Sequence, residues 1–191
     1  ERLLDSRFFE RVQIIGTRGT GVGQFNKPRS VAVDKQDNLY VVDMTGRVQK
    51  FSPEGKFILS WQMPQTDLGK PKGMSCDKDG NIIVIEPHYQ RVNHFSPDGK
   101  LVAQWGTHGT NEGQLTLPRS VAVNSRGEIL VSEYTVVDRV QRFRLPSLEV
   151  GDQRSGENAR PRPSPLHPER ENASPTQAEW LGSFGQPGTE K

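Results

Sequence analysis

The chain has 191 residues, with 25 Lys and Arg against 23 Asp and Glu for a net charge of +2, and 32% of it is hydrophobic. That length sets one domain as the expectation; the near-balanced charge does not by itself imply a nucleic-acid partner; and no run approaches the about 18 apolar residues of a membrane span, so membrane insertion is not expected. The 19 Gly and 14 Pro suit a turn-rich β protein, and the single cysteine, Cys76, excludes an internal disulfide.

In chain order, Phe9-Glu10-Arg11-Val12-Gln13-Ile14-Ile15-Gly16 comes first, an extended run that lines up with Asp98-Gly99-Lys100-Leu101-Val102-Ala103-Gln104-Trp105-Gly106 further on. Residues 17–61 then hold four short runs: Val31-Ala32-Val33-Asp34, Asn38-Leu39-Tyr40-Val41-Val42-Asp43, Arg47-Val48-Gln49-Lys50-Phe51 and Phe57-Ile58-Leu59-Ser60-Trp61. They alternate apolar with polar or end in an aromatic, the pattern of half-buried antiparallel strands. The last turn between them, Ser52-Pro53-Glu54-Gly55-Lys56, supplies Pro to preset φ and Gly to accept a positive one. Residues 62–105 repeat this grammar with turns at Asp79-Gly80 and Ser96-Pro97-Asp98-Gly99, and residues 106–143 repeat it as far as Phe143.

The next segment, 144–178, replaces a five-residue turn. From Gly151 to Ala178 its only large apolar residue is Leu166, and Pro161, Pro163, Pro165, Pro168 and Pro175 interrupt it. Such a stretch cannot bury enough surface to offset its ordering entropy and is expected to be disordered. Residues 179–191 restore the missing fourth run of the third copy, and Trp180-Leu181-Gly182-Ser183-Phe184-Gly185 leads into the start of a truncated further repeat.

The copies align on Lys27-Pro28-Arg29, Lys70-Pro71-Lys72 and Leu117-Pro118-Arg119, so the prolines are 43 and 47 residues apart. A unit of that length with four strands cannot bury its own apolar face, and the period falls in the range of propeller blades. Gly21-Val22-Gly23-Gln24-Phe25-Asn26-Lys27-Pro28 followed by the first three runs of copy one resembles the NHL repeat, and the resemblance covers residues 14–143. It implies an all-β propeller of four-stranded antiparallel blades, with about three blades here: 17–61, 62–105 and most of a third over 106–143, with 9–16 as the outer strand of a neighbouring blade. NHL propellers resemble closed rings of about six blades. The chain is therefore expected to be a fragment of a longer product, with self-association through its open edges as the alternative.

In an up-and-down sheet the turn entering strand one and the turn joining strands two and three lie on one side. That side collects Arg29, Lys72 and Arg119, one after each repeat proline, as a basic circle. It also collects Asp43, Glu86 and Glu133 with Arg47, Arg91 and Arg139 four to six residues later. The acid–arginine series is read as structural ion pairs, and the basic circle, with His88, Tyr89 and Tyr134, as the ligand face. The resemblance implies protein or RNA binding there, and RNA would want aromatic platforms.

The amidating lyases, whose lyase domain resembles this fold, use a metal held by histidines. Here His167 lies in the insertion, His108 at the position of Arg18, and His94 at that assigned to Gln49 and Gln141, leaving His88 alone on the loop face. No metal site, cofactor or catalytic residue is assigned. Cys76 fills the slot of Val33 and Val123 and reads as a small buried residue. Asp34, Asp77 and Asn124 read as turn caps. The expected function is a non-catalytic scaffold that binds a protein or other macromolecule through its loop face, a protein partner first, with a metal-dependent lyase or single-stranded RNA binding as alternatives. Nothing in the sequence assigns a compartment.

Overall fold

The computed structural model describes residues 11–145 and 179–184. A short parallel pair, β1 (Thr17–Arg18) with β2 (Gln24–Phe25), precedes the first of three four-stranded antiparallel sheets. That sheet runs β3 (Pro28–Val33), β4 (Leu39–Asp43), β5 (Arg47–Phe51) and β6 (Phe57–Gln62) in sequence order. The second comprises β7 (Gly73–Cys76), β8 (Ile82–Glu86), β9 (Arg91–Phe95) and β10 (Leu101–Trp105), with a single 3-10 turn, Pro87–Tyr89, between β8 and β9. The third comprises β11 (Pro118–Val123), β12 (Ile129–Glu133), β13 (Arg139–Arg144) and β14 (Glu179–Phe184). The insertion expected across 144–178 lies, from residue 146 on, outside the described residues, as does the expected repeat start after Phe184.

The first strand of the middle sheet, β7, lies against the first strands of the other two, β3 and β11, so the sheets fan outward from a common inner edge. Two cores form between them. One joins Ala32, Tyr40, Val42 and Val48 of the first sheet to Met74, Ile82, Val84 and Phe95 of the second. The other joins Ile83, Ile85, Val92 and Trp105 of the second to Val121, Ile129, Val131 and Phe143 of the third. The second sheet is thus covered on both faces, and its β8, Ile-Ile-Val-Ile-Glu, is buried along its whole length. A strand buried on both faces reads as a continuous apolar run rather than an alternating one.

Each interface uses the same pieces. Trp61 on the outer strand of the first sheet meets Phe95 of the second at 5.6 Å between ring centroids, and Trp105 meets Phe143 of the third at 4.8 Å. Trp61 also covers Gly99, where a Cβ would stand 2.7 Å from the indole, so the turn needs glycine both for its φ of +85° and for this contact. Of the run expected as a preceding outer strand, residues 9 and 10 lie outside the described residues and 11–16 form no ladder. Ile15 nevertheless packs on Gly55 as Trp61 packs on Gly99, and Gln13 Nε2 donates to Glu54 O at 3.0 Å.

Candidate functional site

The register brings Pro28 opposite Asp43 and Pro118 opposite Glu133, which puts the entry of each first strand beside the end of its second. The ladder then skips one residue. Pro28 pairs with Asp43 but Ser30 with Val42, and Pro118 pairs with Glu133 but Ser120 with Ser132, so the unpaired residues are Arg29 and Arg119. A bulge of this kind re-aims its extra side chain out of the sheet. Lys72 holds the equivalent place ahead of β7, its N–H donating to Ile85 O at 3.1 Å.

These three cations converge. Burial and the like charges of Arg29 and Arg119 together hold the Lys72 ammonium below its ordinary pKa. Arg29 and Arg119 are exposed and Lys72 half-buried. Among the described residues none of the three meets a carboxylate; Arg119 instead lies over the Tyr134 ring, 5.3 Å from its centroid. The inner strands therefore end in a mouth of uncompensated positive charge.

The acid–arginine series lies behind this mouth. Arg47 Nη2 is 3.6 Å from Asp43, Arg91 Nε 2.6 Å from Glu86, and Arg139 Nε 2.8 Å from Glu133. In the first and third sheets these groups clamp the glycine-rich connector. Asn26 N–H donates to Asp43 Oδ2 at 3.1 Å and Thr116 N–H to Glu133 Oε1 at 2.5 Å. Arg47 Nη2 and Gln49 Nε2 both donate to Gln24 O at 2.7 Å; Arg139 Nη2 and Gln141 Nε2 donate to Gln114 O at 2.9 and 2.7 Å. Gln49 Oε1 and Gln141 Oε1 in turn accept from Gly23 N–H at 3.0 Å and Gly113 N–H at 2.8 Å. The role of Gln49 and Gln141 was missed from sequence, although their recurrence two residues after each arginine was the available signal.

The second sheet departs from this pattern. Its connector is shorter, and Asn93 replaces the glutamine, donating to Glu86 Oε2 at 2.5 Å. Arg91 reaches Gln65 Oε1 at 2.6 Å, while Glu86 Oε1 and Arg91 Nη2 are buried without a partner among the described residues. Tyr89 supports the connector instead: Leu68 N–H donates to its hydroxyl at 3.0 Å, the hydroxyl donates to Asp67 at 2.8 Å, and Arg91 covers the ring at 4.2 Å. His88 backs onto Gly69, where a Cβ would meet the imidazole at 2.1 Å. The loop aromatics thus divide, with Tyr134 exposed at the mouth under Arg119 and Tyr89 engaged on both its hydroxyl and its face.

The register also corrects the placement of His94. Val41 pairs with Gln49, Val84 with Asn93 and Val131 with Gln141, so Asn93 is the equivalent of the two glutamines and His94 the equivalent of Lys50 and Arg142. His94 is buried, accepts from Trp105 Nε1–H at 2.9 Å, and is pushed down to about 4 by desolvation. Among the described residues no group of three or more His, Cys, Asp and Glu is placed to hold a metal.

At the other end of the inner strands lies a pocket of about 300 Å³, lined by Asp34, Cys76, Asp77, Asn124 and their neighbours. Asp34 Oδ1, Asp77 Oδ1 and Asn124 Oδ1 accept backbone N–H groups two and four residues on, closing the tight turns. Cys76 is half-buried, and burial with the Asp77 charge pushes its thiol up to about 11, which leaves it a poor nucleophile. The charges at this end are mixed, in contrast to the cationic mouth.

No protein-family model matches the chain, and no curated protein sequence does. Solved structures do match. Virginiamycin B lyase from Staphylococcus aureus is 13% identical with a TM-score of 0.51, over 64% of this chain and 39% of that one. A catalytically inactive variant of that enzyme with quinupristin gives 13% identity and a TM-score of 0.54, over 78% and 45%. A protein of unknown function from Bacteroides thetaiotaomicron gives 19% and 0.53, over 60% and 32%. The fold is that of a β-propeller. At these identities the likeness extends to the fold alone, and the chain spans less than half the length of each of these proteins. The three sheets are blades, and the Arg29–Lys72–Arg119 cluster lies at one mouth of the propeller axis.

Proposed function

We propose that this chain is part of a non-catalytic propeller of the NHL type that holds an acidic segment of a partner protein at the mouth formed by Arg29, Lys72 and Arg119. The observation that carries this reading is the convergence of the three cations without a carboxylate among the described residues. Elsewhere on the same side Arg47, Arg91 and Arg139 each meet an acid. Cations left unpaired close together repel one another, so an anionic partner gains Coulomb energy and relieves that repulsion. The blades supply rigidity, fixing the three groups before the partner arrives and lowering the ordering cost of binding.

A carboxylate-bearing peptide suits the mouth better than single-stranded RNA. Base recognition needs aromatic faces beside the charges, and of the two loop tyrosines Tyr89 is occupied and Tyr134 already stacks with Arg119. The lyase alternative rests on the resemblance to the amidating lyases and would require metal ligands from outside the described residues.

Titration of fluorescent oligo-glutamate and oligo-uridylate of equal charge separates these readings. Tighter binding of oligo-glutamate, weakening as salt is raised, is expected. Tighter binding of oligo-uridylate would replace the protein reading with an RNA one, and no binding of either would overturn the mouth as a site.

A further inference from the structure

The faces of the first and third blades that no other blade covers among the described residues are the two halves of the interface that the chain already makes twice. On the side where the second blade buries Met74, Ile82, Val84 and Phe95 against its predecessor, the first blade carries Val31, Leu39, Val41 and Phe51 in the same register; Val41 and Phe51 are already buried, with Phe25 packed on Phe51, and the open part of the face is Val31 and Val33. Met74 and its third-blade equivalent Val121 are 6% and 7% exposed, yet Val31 is 59% exposed and Val33 54%. Beside them a pocket of about 440 Å³ is lined by Gly16, Phe25 and Pro28. The third-blade equivalent of Phe25, Leu115, is fully buried in the second core.

The complementary half is on the same molecule. Ala32, Tyr40 and Val48 of the first blade are buried by the blade that follows. Their third-blade equivalents, Ala122, Leu130 and Val140, are exposed or half-exposed. Two isolated apolar patches need not fit each other, but these are repeats of surfaces that already fit, twice, inside the chain.

We infer that the first blade of one chain docks on the third blade of a second copy, and that two copies joined head to tail at both ends close a ring. The contact is heterologous, and such contacts give a closed assembly where the rotation closes and an open filament where it does not. The three described blades of each of two copies would together make six, inside the range of about four to eight in closed propellers. The pairing would bury Val31, Val33, Ala122 and Leu130 and bring two cationic mouths around one axis.

Light scattering of the full chain at micromolar concentration tests this. Twice the chain mass is expected. Val31→Glu and Ala122→Glu both alter residues exposed in the single chain, so they leave its fold intact, and each should reduce the mass to that of one chain. Mixing the two variants leaves one unaltered interface between them and should restore some of the doubled mass. A single-chain mass for the unaltered protein, or a doubled mass that neither substitution lowers, would overturn the inference and would point to blades of another chain as the occupant.

Discussion

Among the described residues His94 carries a clear pH signature. Its Nε2 accepts from Trp105 inside the second blade, which requires the neutral ring, and desolvation lowers its pKa from 6.5 to about 4. Between those values the unfolded chain binds the proton and the folded chain does not, so stability is retained above pH 6.5 and lost progressively as pH falls to about 4. The full loss is roughly 3 kcal/mol. Urea unfolding across this window should show that loss in the unaltered chain and not in His94→Gln; parallel curves would refute it. A second acid-sensitive group, Glu128, is held at about 2 by Arg126, Asn124 and Arg144, and its contribution is lost only below its ordinary value of 4.5. Neither environment was legible in the sequence. The place of His94 depended on a register one residue away from the one inferred, and in a strand one residue exchanges one face for the other.

At the scale of elements, the connectors show how blades are held to a common plan. Strand positions, turns and the four-strand grammar were readable because alternation and Gly/Pro punctuation are local properties. The clamps that fix the connectors were not, because Gln141 reaches Gly113 and Gln114 across 28 and 27 residues. The fully buried Gln141 satisfies a backbone donor and acceptor together, so Gln141→Ala strands the Gly113 N–H at about 1–3 kcal/mol and leaves Gln114 O to Arg139 alone. Amide exchange at Gly113 should accelerate in that variant, while amides of β8, which rest on the unchanged second-blade network, should exchange as before. Equal acceleration at both places would mean the variant loosens the fold at large and not the connector.

For the whole molecule, three blades around an inner edge turn a repeated residue into a circle of like groups, and here the circles differ in kind. One end of the axis gathers Arg29, Lys72 and Arg119 with no carboxylate partner among the described residues; the other gathers Asp34, Asp77 and Asn124, spent on their own turns. The sequence located the cationic residues through the repeat prolines, but the bulges at Arg29 and Arg119, and the engagement of Tyr89 by Asp67 and Arg91, depend on pairings it does not display. The most direct test of the cationic mouth is oligo-glutamate titration of Lys72→Glu beside Lys78→Glu, an equal charge change at the opposite end. The account predicts that Lys72→Glu weakens binding at least about tenfold, about 1.4 kcal/mol, while Lys78→Glu leaves it nearly unchanged. Equal weakening by both would show that net charge alone attracts the peptide, and would contradict the mouth as the binding site.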